Sequence, residues 1–383
     1  MKMPTKYDVF ATLIEKAPCR IKSLEFKTPI YYHISEMEKE GWVQNKRNLL
    51  TPVKNEITLP IFRIIKYCLN HGLDYNILFT KSMGRILKIL PKSIPDLRPK
   101  MLSNNKEINR VLVYLEKNQF ILKYARKPAR GRLLQHQILG YLSSLYHLTI
   151  DIKKPKQIGL TQKILQIKTK PLNPFEEKVF AFLAGSVQLE GSTITEGDTR
   201  ELLVKDIYPD KPAKDIQMVK NLNEALKYVL NNVESEINQE AIKEINRLIM
   251  FSLHTHAGKY KLTQNKIQGN PSFKTARPSE VLQLMQEFCR IVETIDSREG
   301  CLTLLGKLHN DLQRIHPFAD GNSRTTRLIL NWVLLKHDLP IVVLKMGSFD
   351  EYMSLTKLSG KRDDTLLNQL LLELIVHEEL DKK

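Results

Sequence analysis

Twelve consecutive residues, His316-Pro317-Phe318-Ala319-Asp320-Gly321-Asn322-Ser323-Arg324-Thr325-Thr326-Arg327, bring together a base, a metal-ligating carboxylate, a turn and two guanidinium groups. The apolar spacing predicts a helix over 302–315, turn chemistry over 320–323 and a second, apolar helix over 325–335. A turn that feeds a helix N-terminus offers unpaired backbone N–H groups and a positive dipole end, which together make an anion site. Gly321 and Asn322 suit the positive-φ backbone that aims successive amides at one phosphate. Arg324 and Arg327, three apart, share a helix face and can fork onto neighbouring phosphates. Asp320 is a hard oxygen ligand suited to Mg²⁺ held jointly with phosphate and water. His316 can take a proton from a hydroxyl attacking phosphorus, while Phe318 most simply plugs the loop into the core. Each residue alone fits an ordinary surface loop; the spacing of all of them does not.

The run resembles the signature of Fic-domain proteins, His-x-Phe-x-Asp/Glu-Gly-Asn-Gly-Arg-x-x-Arg, with Ser323 where the family usually has Gly. The resemblance extends upstream through Leu308, His309 and Ile315. It implies transfer of AMP from ATP to a hydroxyl of a target protein. His316 would then be the base, Asp320 the Mg²⁺ ligand, Gly321, Asn322 and Ser323 the anion hole, and Arg324 and Arg327 the β- and γ-phosphate partners. Ser323 keeps its amide, but its Cβ is expected to strain the loop if φ is positive there.

Asn173-Pro174-Phe175-Glu176 reads as a helix start, with Asn at the N-cap, Pro at N1 and Glu at N3. The helix expected over 174–190 ends in Ser186-Val187-Gln188-Leu189-Glu190-Gly191, which resembles the inhibitory motif of Fic proteins. The resemblance implies that Glu190 pairs with Arg327 and blocks the γ-phosphate, and that it can align water for the reverse, de-AMPylating reaction. A second register, Ser192, Glu196 and Gly197, fits the bare pattern; the first is preferred because Leu189 and the following Ser192-Thr193-Ile194-Thr195 continue as in the family. The plain alternative is a C-terminal helix Glu followed by a capping Gly.

Between these motifs, Gln264-Asn265-Lys266-Ile267 resembles the core of the family's flap, a short hairpin that clamps the target by strand addition. Lys261 stands where the family usually has Arg. His254 and His256 lack a carboxylate or Cys at helical spacing and read as structural rather than metal-binding.

Composition sets the outer bounds. The chain has 383 residues, 42% of them hydrophobic, and no long uncharged apolar run, so a soluble protein of more than one domain is expected. No secretory signal is evident at the start, and Cys19, Cys68, Cys289 and Cys301 are scattered without CxxC spacing; a cytoplasmic, reducing location follows as the expectation. The charge is uneven. Residues 1–150 hold 26 Lys and Arg against 11 Asp and Glu, a balance of +15, whereas 151–383 balance at +2. That asymmetry points to an anionic partner, with nucleic acid foremost.

The first seventy residues suit such a partner. Segments 7–15, 21–26 and 28–40 are helical, the last with Ile30, Tyr31, Ile34 and Met37 inward, and a basic hairpin follows. This resembles a winged helix-turn-helix, with Lys27, Thr28, Tyr32, His33 and Lys39 as groove-side candidates and Lys46 and Arg47 on the wing. Residues 116–121 echo 38–43, and helical patterns at 77–89 and 106–115 allow a second such module. The competing reading is a protein-binding winged helix or a basic domain that solvates its charge. The architecture expected is mainly α: winged helix over 1–70, a second winged-helix-like or helical basic domain over 71–150, a linker over 151–171, and a Fic helical bundle with a short β-hairpin flap over 172–383. The implied partners are ATP with Mg²⁺, a target bearing a Ser, Thr or Tyr hydroxyl and duplex DNA; no membrane is expected, and a homodimer is allowed. The alternative function is a DNA-binding regulator whose Fic domain is secondary or degenerate, with Ser323 as the mark of decay.

Overall fold

The computed structural model describes residues 3–89, 106–126, 129–150, 152, 159–267, 270–356 and 359–380. The chain divides into two compact units, residues 1–114 with 136–152, and residues 115–135 with 153–383.

In the first unit, Thr5 and Asp8 close a capping box on α1 (Lys6–Lys16), and α2 (Tyr31–Lys39) follows a 3₁₀ turn at Ile21–Leu24. The third helical segment is thus shorter than expected and begins after Pro29, leaving Lys27 and Thr28 outside it. Tyr31 is exposed rather than inward. Ile30, Ile34 and Met37 define the buried stripe, and Tyr31 sits about 100° round the helix from Ile30, at the stripe's edge. Antiparallel β1 (Val43–Lys46) and β2 (Leu49–Pro52) meet in a two-residue turn, Arg47 and Asn48, both at positive φ as such hairpins require. Cys19 bridges to Leu50 and extends this small sheet. Val9, Phe10, Leu13, Ile34, Met37 and Trp42 close the core beneath it.

The unit continues through α3 (Thr58–His71), α4 (Tyr75–Leu78), α5 (Lys81–Ile89), α6 (Lys106–Lys117), whose last residues pass into the second unit, and α7 (Gln137–Tyr146). The helix expected over 77–89 is broken, because the Thr80 hydroxyl accepts from Met83 N–H and starts a new one.

The second unit is a helical bundle. Its members are α8 (Leu160–Leu165), α9 (Glu177–Gln188), α10 (Glu196–Lys205), α11 (Ala213–Asn231), α12 (Gln239–Ile249), α13 (Val281–Glu293), α14 (Arg298–Ile315), α15 (Asn322–Lys336), α16 (Phe349–Leu355) and α17 (Asp364–Leu380). Helix α15 is buried all round from Asn322 to Leu334, so it is the axis about which α9, α11, α12 and α14 pack. No helix among the described residues is long and apolar enough to cross a membrane.

Three expectations need correction here. Asn173 caps a turn, accepting from Phe175 N–H, and α9 begins only at Glu177 and stops at Gln188. The expected linker over 151–171 holds α8, whose Leu160 and Ile164 are buried in the bundle core; its other residues at 151 and 153–158 lie outside the described set. The hairpin β3 (Ile121–Arg126) and β4 (Ala129–Leu133), expected in a second N-terminal module, belongs to the bundle. Its attachment is polar and specific. Gln119, at φ 60°, donates to the Val343 carbonyl and Glu378 and accepts from Lys345 N–H and the Ser348 hydroxyl, all within 3.0 Å. Arg132 donates to Glu373 at 2.8 Å and Glu351 at 2.6 Å, and Lys123 N–H donates to His377 Nδ1.

Glu373 is fully buried, so its carboxylate depends on Arg132. Arg132→Met is therefore expected to destabilise the bundle by roughly 3–5 kcal/mol at neutral pH, because it strands that charge. A urea melt followed by Trp fluorescence reads this. Adding Glu373→Leu should recover most of the loss, and an unchanged midpoint in the single variant would refute the dependence.

Candidate active site

Helix α14 ends at Ile315, and His316 caps it in the left-handed region at φ 49°. Glycine is the usual residue there. A side chain held in that conformation costs about 1–3 kcal/mol and marks a position where function overrides local preference. His316 Nδ1 lies 3.2 Å from the Gln313 carbonyl, which can only accept, so the proton resides on Nδ1 and Nε2 is the basic nitrogen.

The turn is locked from within. The Asn322 side chain accepts from Phe318 N–H at 2.9 Å and donates to the Phe318 carbonyl at 2.8 Å. Phe318 is buried, as expected of a plug. Of the two residues expected to bend the loop, Gly321 has positive φ, at 77°, whereas Asn322 opens α15 with helical backbone. Ser323 also lies inside α15, so its Cβ carries no left-handed strain. The first backbone bond of α15 runs from Thr325 N–H to the Gly321 carbonyl, leaving the amides of Asn322, Ser323 and Arg324 ahead of it. The Gly321 amide instead donates to Asp320 Oδ1 at 2.6 Å.

Arg324 and Arg327 are both buried on α15, and their surroundings differ. Arg324 reaches the Met250 sulfur at 3.2 Å, while its Nε and Nη1 are buried without a partner. Burial lowers its pKa from the ordinary arginine value, opposed by Glu190 and Asp320. Arg327 is satisfied: Nε donates to the Ser186 hydroxyl at 3.3 Å, and Nη2 to the Ser186 carbonyl at 2.7 Å and Glu190 Oε1 at 2.9 Å. Its charge also bears on the buried Tyr352 hydroxyl, which lies 2.7 Å from His309 Nε2. Glu190 follows the end of α9, and Gly191 turns the chain at φ 91°. The other register is excluded as a partner of this arginine, since Glu196 starts α10 and faces Lys345 at 3.7 Å.

Asp320 is 60% exposed beside this cluster, 4.0 Å from Arg324. Among the described residues no three His, Cys, Asp or Glu converge on a metal position, and His254 and His256 sit in a turn where His256 N–H donates to His254 Nδ1. The four cysteines are free.

The residues expected to form the flap, Gln264, Asn265, Lys266 and Ile267, form no paired hairpin among the described residues, and Asn265 reaches the loop. Gln264 donates to the Thr275 carbonyl and hydroxyl, closing the flap's base; Asn265 donates to the carbonyls of Phe318 and Ala319, each at 3.2 Å. Lys266 is exposed and Ile267 half-buried. In the other unit, Tyr32, Lys39, Lys46 and Arg47 are exposed, with Lys27 also exposed and Thr28 half-buried before α2. His33 is half-buried, its Nε2 3.1 Å from the Pro4 carbonyl.

Asn246 escaped the sequence reading. On α12 it donates to the Asp320 carbonyl and the Thr325 hydroxyl and accepts from Gly258 N–H, so it holds both ends of the turn. The available signal was a polar residue on the buried stripe Ala241, Ile242, Ile245, Ile249. Tyr352 was likewise missed, because it joins the site only through tertiary packing.

Residues 236–334 match the family model of the Fic/DOC family. The chain carries a Fic domain. Over 199 residues it is 28% identical to protein adenylyltransferase fic-1 of Caenorhabditis elegans, covering 49% of this chain and 38% of that one. It is also 28% identical over 209 residues to protein adenylyltransferase Fic of Nematostella vectensis, covering 53% and 47%. The chain thus spans less than half the length of either curated relative. A solved structure of C. elegans Fic-1 aligns with 80% of this chain and 96% of its own at 19% identity and a TM-score of 0.47.

The turn of the Fic domain favours glycine at 321. A Cβ there would stand 2.7 Å from the Met250 sulfur and 3.0 Å from Asn246 Nδ2, in addition to its positive φ. Gly321→Ala should cost roughly 1–3 kcal/mol, read as a lower thermal midpoint of the full-length protein. A midpoint equal to wild type would show that the turn relaxes without loss.

Proposed function

We propose that the Fic domain transfers AMP from ATP to a hydroxyl side chain of a protein, and that Glu190 restrains the reaction. One observation carries this reading: Arg324 is buried with two guanidinium nitrogens unpartnered, beside the open amides of α15. Such a cation needs an anion, and a phosphate meets both the amides and the fork. The curated relatives named as protein adenylyltransferases support the same chemistry.

In the step itself, the hydroxyl oxygen bonds to the α-phosphorus, the bond from that phosphorus to the bridging oxygen breaks, and pyrophosphate leaves. The hydroxyl proton passes to His316 Nε2. The amides of Asn322 and Ser323 face the charge that develops on the phosphoryl oxygens, and Arg324 and Arg327 hold the leaving phosphates. Asp320, an exposed carboxylate beside the phosphate position, fits the one or two carboxylates through which Mg²⁺ is usually held together with substrate phosphates. The ion would neutralise phosphate charge when bound. Glu190 occupies an Arg327 N–H that the γ-phosphate requires, and so holds the nucleotide out of register. With Glu190 in place, the same site would align water against an AMP-modified hydroxyl. Ser323 gives no support to a degenerate domain, since its helical backbone accepts a side chain.

Transfer of label from ATP labelled in the α-phosphate, with Mg²⁺, tests the reading. Glu190→Gly should raise self- or target-labelling about tenfold or more, the equivalent of removing ~1.4 kcal/mol of competition. His316→Ala in that background should lower it by roughly 10²–10⁴ while ATP still binds. Full activity after His316→Ala, or no gain from Glu190→Gly, would overturn the assignment.

For the first unit, the hairpin tip favours an anionic polymer. Lys46 and Arg47 project at a rigid two-residue turn in the half of the chain that carries the +15 balance. On α2 the exposed Tyr32 and Lys39 remain as base-edge candidates, while Glu36 and Glu40 are drawn to Lys6. We propose duplex DNA as the ligand, with the hairpin on phosphates as in a winged helix. The full-length protein should retard a random duplex at low salt, with affinity falling steeply as salt rises. Lys46→Glu with Arg47→Glu should weaken binding about tenfold for any sequence. No binding at low salt would end this reading.

A further inference from the structure

The carbonyl groups at the end of α14 are capped by the flap's arms. Ala276 N–H donates to Arg314 O at 2.9 Å and Lys261 N–H to Pro317 O at 2.8 Å, with Tyr260 bridged to Phe318. The Ile315 carbonyl, directly before His316, receives the Lys261 ammonium at 3.1 Å. The same ammonium lies 3.3 Å from the Thr275 hydroxyl, to which Gln264 also donates. Lys261 is 3% exposed, so its charge sits between the two arms of the flap and the negative end of the catalytic helix.

We propose that the buried Lys261 ammonium is a positioning group that ties the base of the flap to the loop carrying His316, and that loss of its proton frees both. An uncharged amine keeps two N–H groups and can still donate to these oxygens, but it loses the charge-assisted strength and the helix-end attraction. Burial lowers the Lys261 pKa to about 8, against a smaller opposing effect of Glu280. The tie is therefore formed below about pH 8 and lost as pH rises through it. The other charged or titratable side chains on the segments bonded to Lys261 are Lys259, Tyr260, Lys266, Lys274 and Arg277 of the flap arms and Arg314 and His316 at the end of α14. None is a carboxylate. Asp311, one turn back, is already paired with Lys307 and Arg362.

Arginine remains charged throughout this range, so Lys261→Arg separates charge from the amine's titration, while Lys261→Met removes both. Hydrogen–deuterium exchange of the full-length proteins, corrected for intrinsic rates, should be compared at about pH 7 and pH 9. Peptides covering 260–267 and 314–321 should lose protection about tenfold in wild type across that range, the scale of one charge-assisted bond. Lys261→Arg should hold its protection, and Lys261→Met should behave at pH 7 as wild type does at pH 9. If the arginine side chain does not fit, the comparison of Lys261→Met with wild type alone decides.

Activity supplies the second arm, which rests on the AMP-transfer reading. In the Glu190→Gly background, labelling should fall above pH 8 through kcat, with KM for ATP unchanged, and Lys261→Arg should abolish that alkaline limb. Equal protection in all forms at both pH values overturns the proposal, as does an alkaline limb that survives Lys261→Arg. Exchange that follows the expected pattern in proteins that transfer no label at any pH leaves the tie standing and removes the AMP-transfer reading instead.

Discussion

A buried guanidinium must find acceptors for its N–H groups or carry a desolvation penalty, and two of them sit within one turn of α15. That constraint organises the bundle around them. Arg327 can be buried only because α9 brings Ser186 against it, offering a hydroxyl and a carbonyl. The carbonyl is available because α9 ends two residues later, where helix carbonyls run out of intrahelical partners. Gly185, next to Ser186, lets α9 approach the 339–345 segment so closely that a Cβ would stand 1.9 Å from the Leu344 carbonyl. Any larger residue would push Ser186 away from the arginine. The position of one hydroxyl thus depends on the absence of one methyl.

The same segment explains why β3 and β4 belong to the bundle. Residues 343–345 lie outside any helix or strand, and the 3₁₀ turn at Met346–Ser348 closes only the bond from Ser348 N–H to the Lys345 carbonyl, so other polar backbone groups of the segment are satisfied from outside. Gln119 supplies both a donor and an acceptor to Val343, Lys345 and Ser348, and Gly347 N–H donates to the Asn118 carbonyl. The support for the Arg327 site therefore runs from α9 through Leu344 to a turn that leads directly from the end of α6. Residues 114 and 136, at the two ends of the hairpin region, both lie at the boundary with the first unit, so the chain crosses between units on either side of it.

What the sequence reveals depends on whether the governing contact is local. His316 at the end of a helix, Arg324 and Arg327 on one face, and Glu190 ahead of a capping glycine all follow from short-range spacing, and the Fic match to 236–334 agrees with the motif's place. The start of α9 was misplaced because Asn173 and Pro174 are equally good turn residues, and nothing local decides between a cap and a turn. The strain expected at Ser323 assumed a loop that continues one residue further than it does; a helix begun at Asn322 removes it. Asn246, Tyr352 and the bonding of Lys261 were not legible, because each acts on a partner more than twenty residues away through packing of whole helices. The hairpin at 121–133 looked like an echo of the first one by pattern, and long-range polar contacts rather than its own sequence assign it to the bundle.

The two arginines also differ in what an incoming anion would gain from them. Arg324 enters the site with two nitrogens unpaired, so any phosphate that reaches it repays a penalty the fold already carries. Arg327 offers no such gain. Its Nε and Nη2 already donate to Ser186 and Glu190, and a phosphate must exchange one carboxylate bond for another anionic bond of similar strength. Glu190 is 23% exposed at the end of a helix, so its release returns the carboxylate to water while Ser186 keeps the guanidinium aimed. On the proposed reading, the driving force for nucleotide binding therefore resides at Arg324 and the competition at Arg327. A brake built this way can be strong enough to set the register of the phosphates and still weak enough to be displaced without unfolding the helix that carries it.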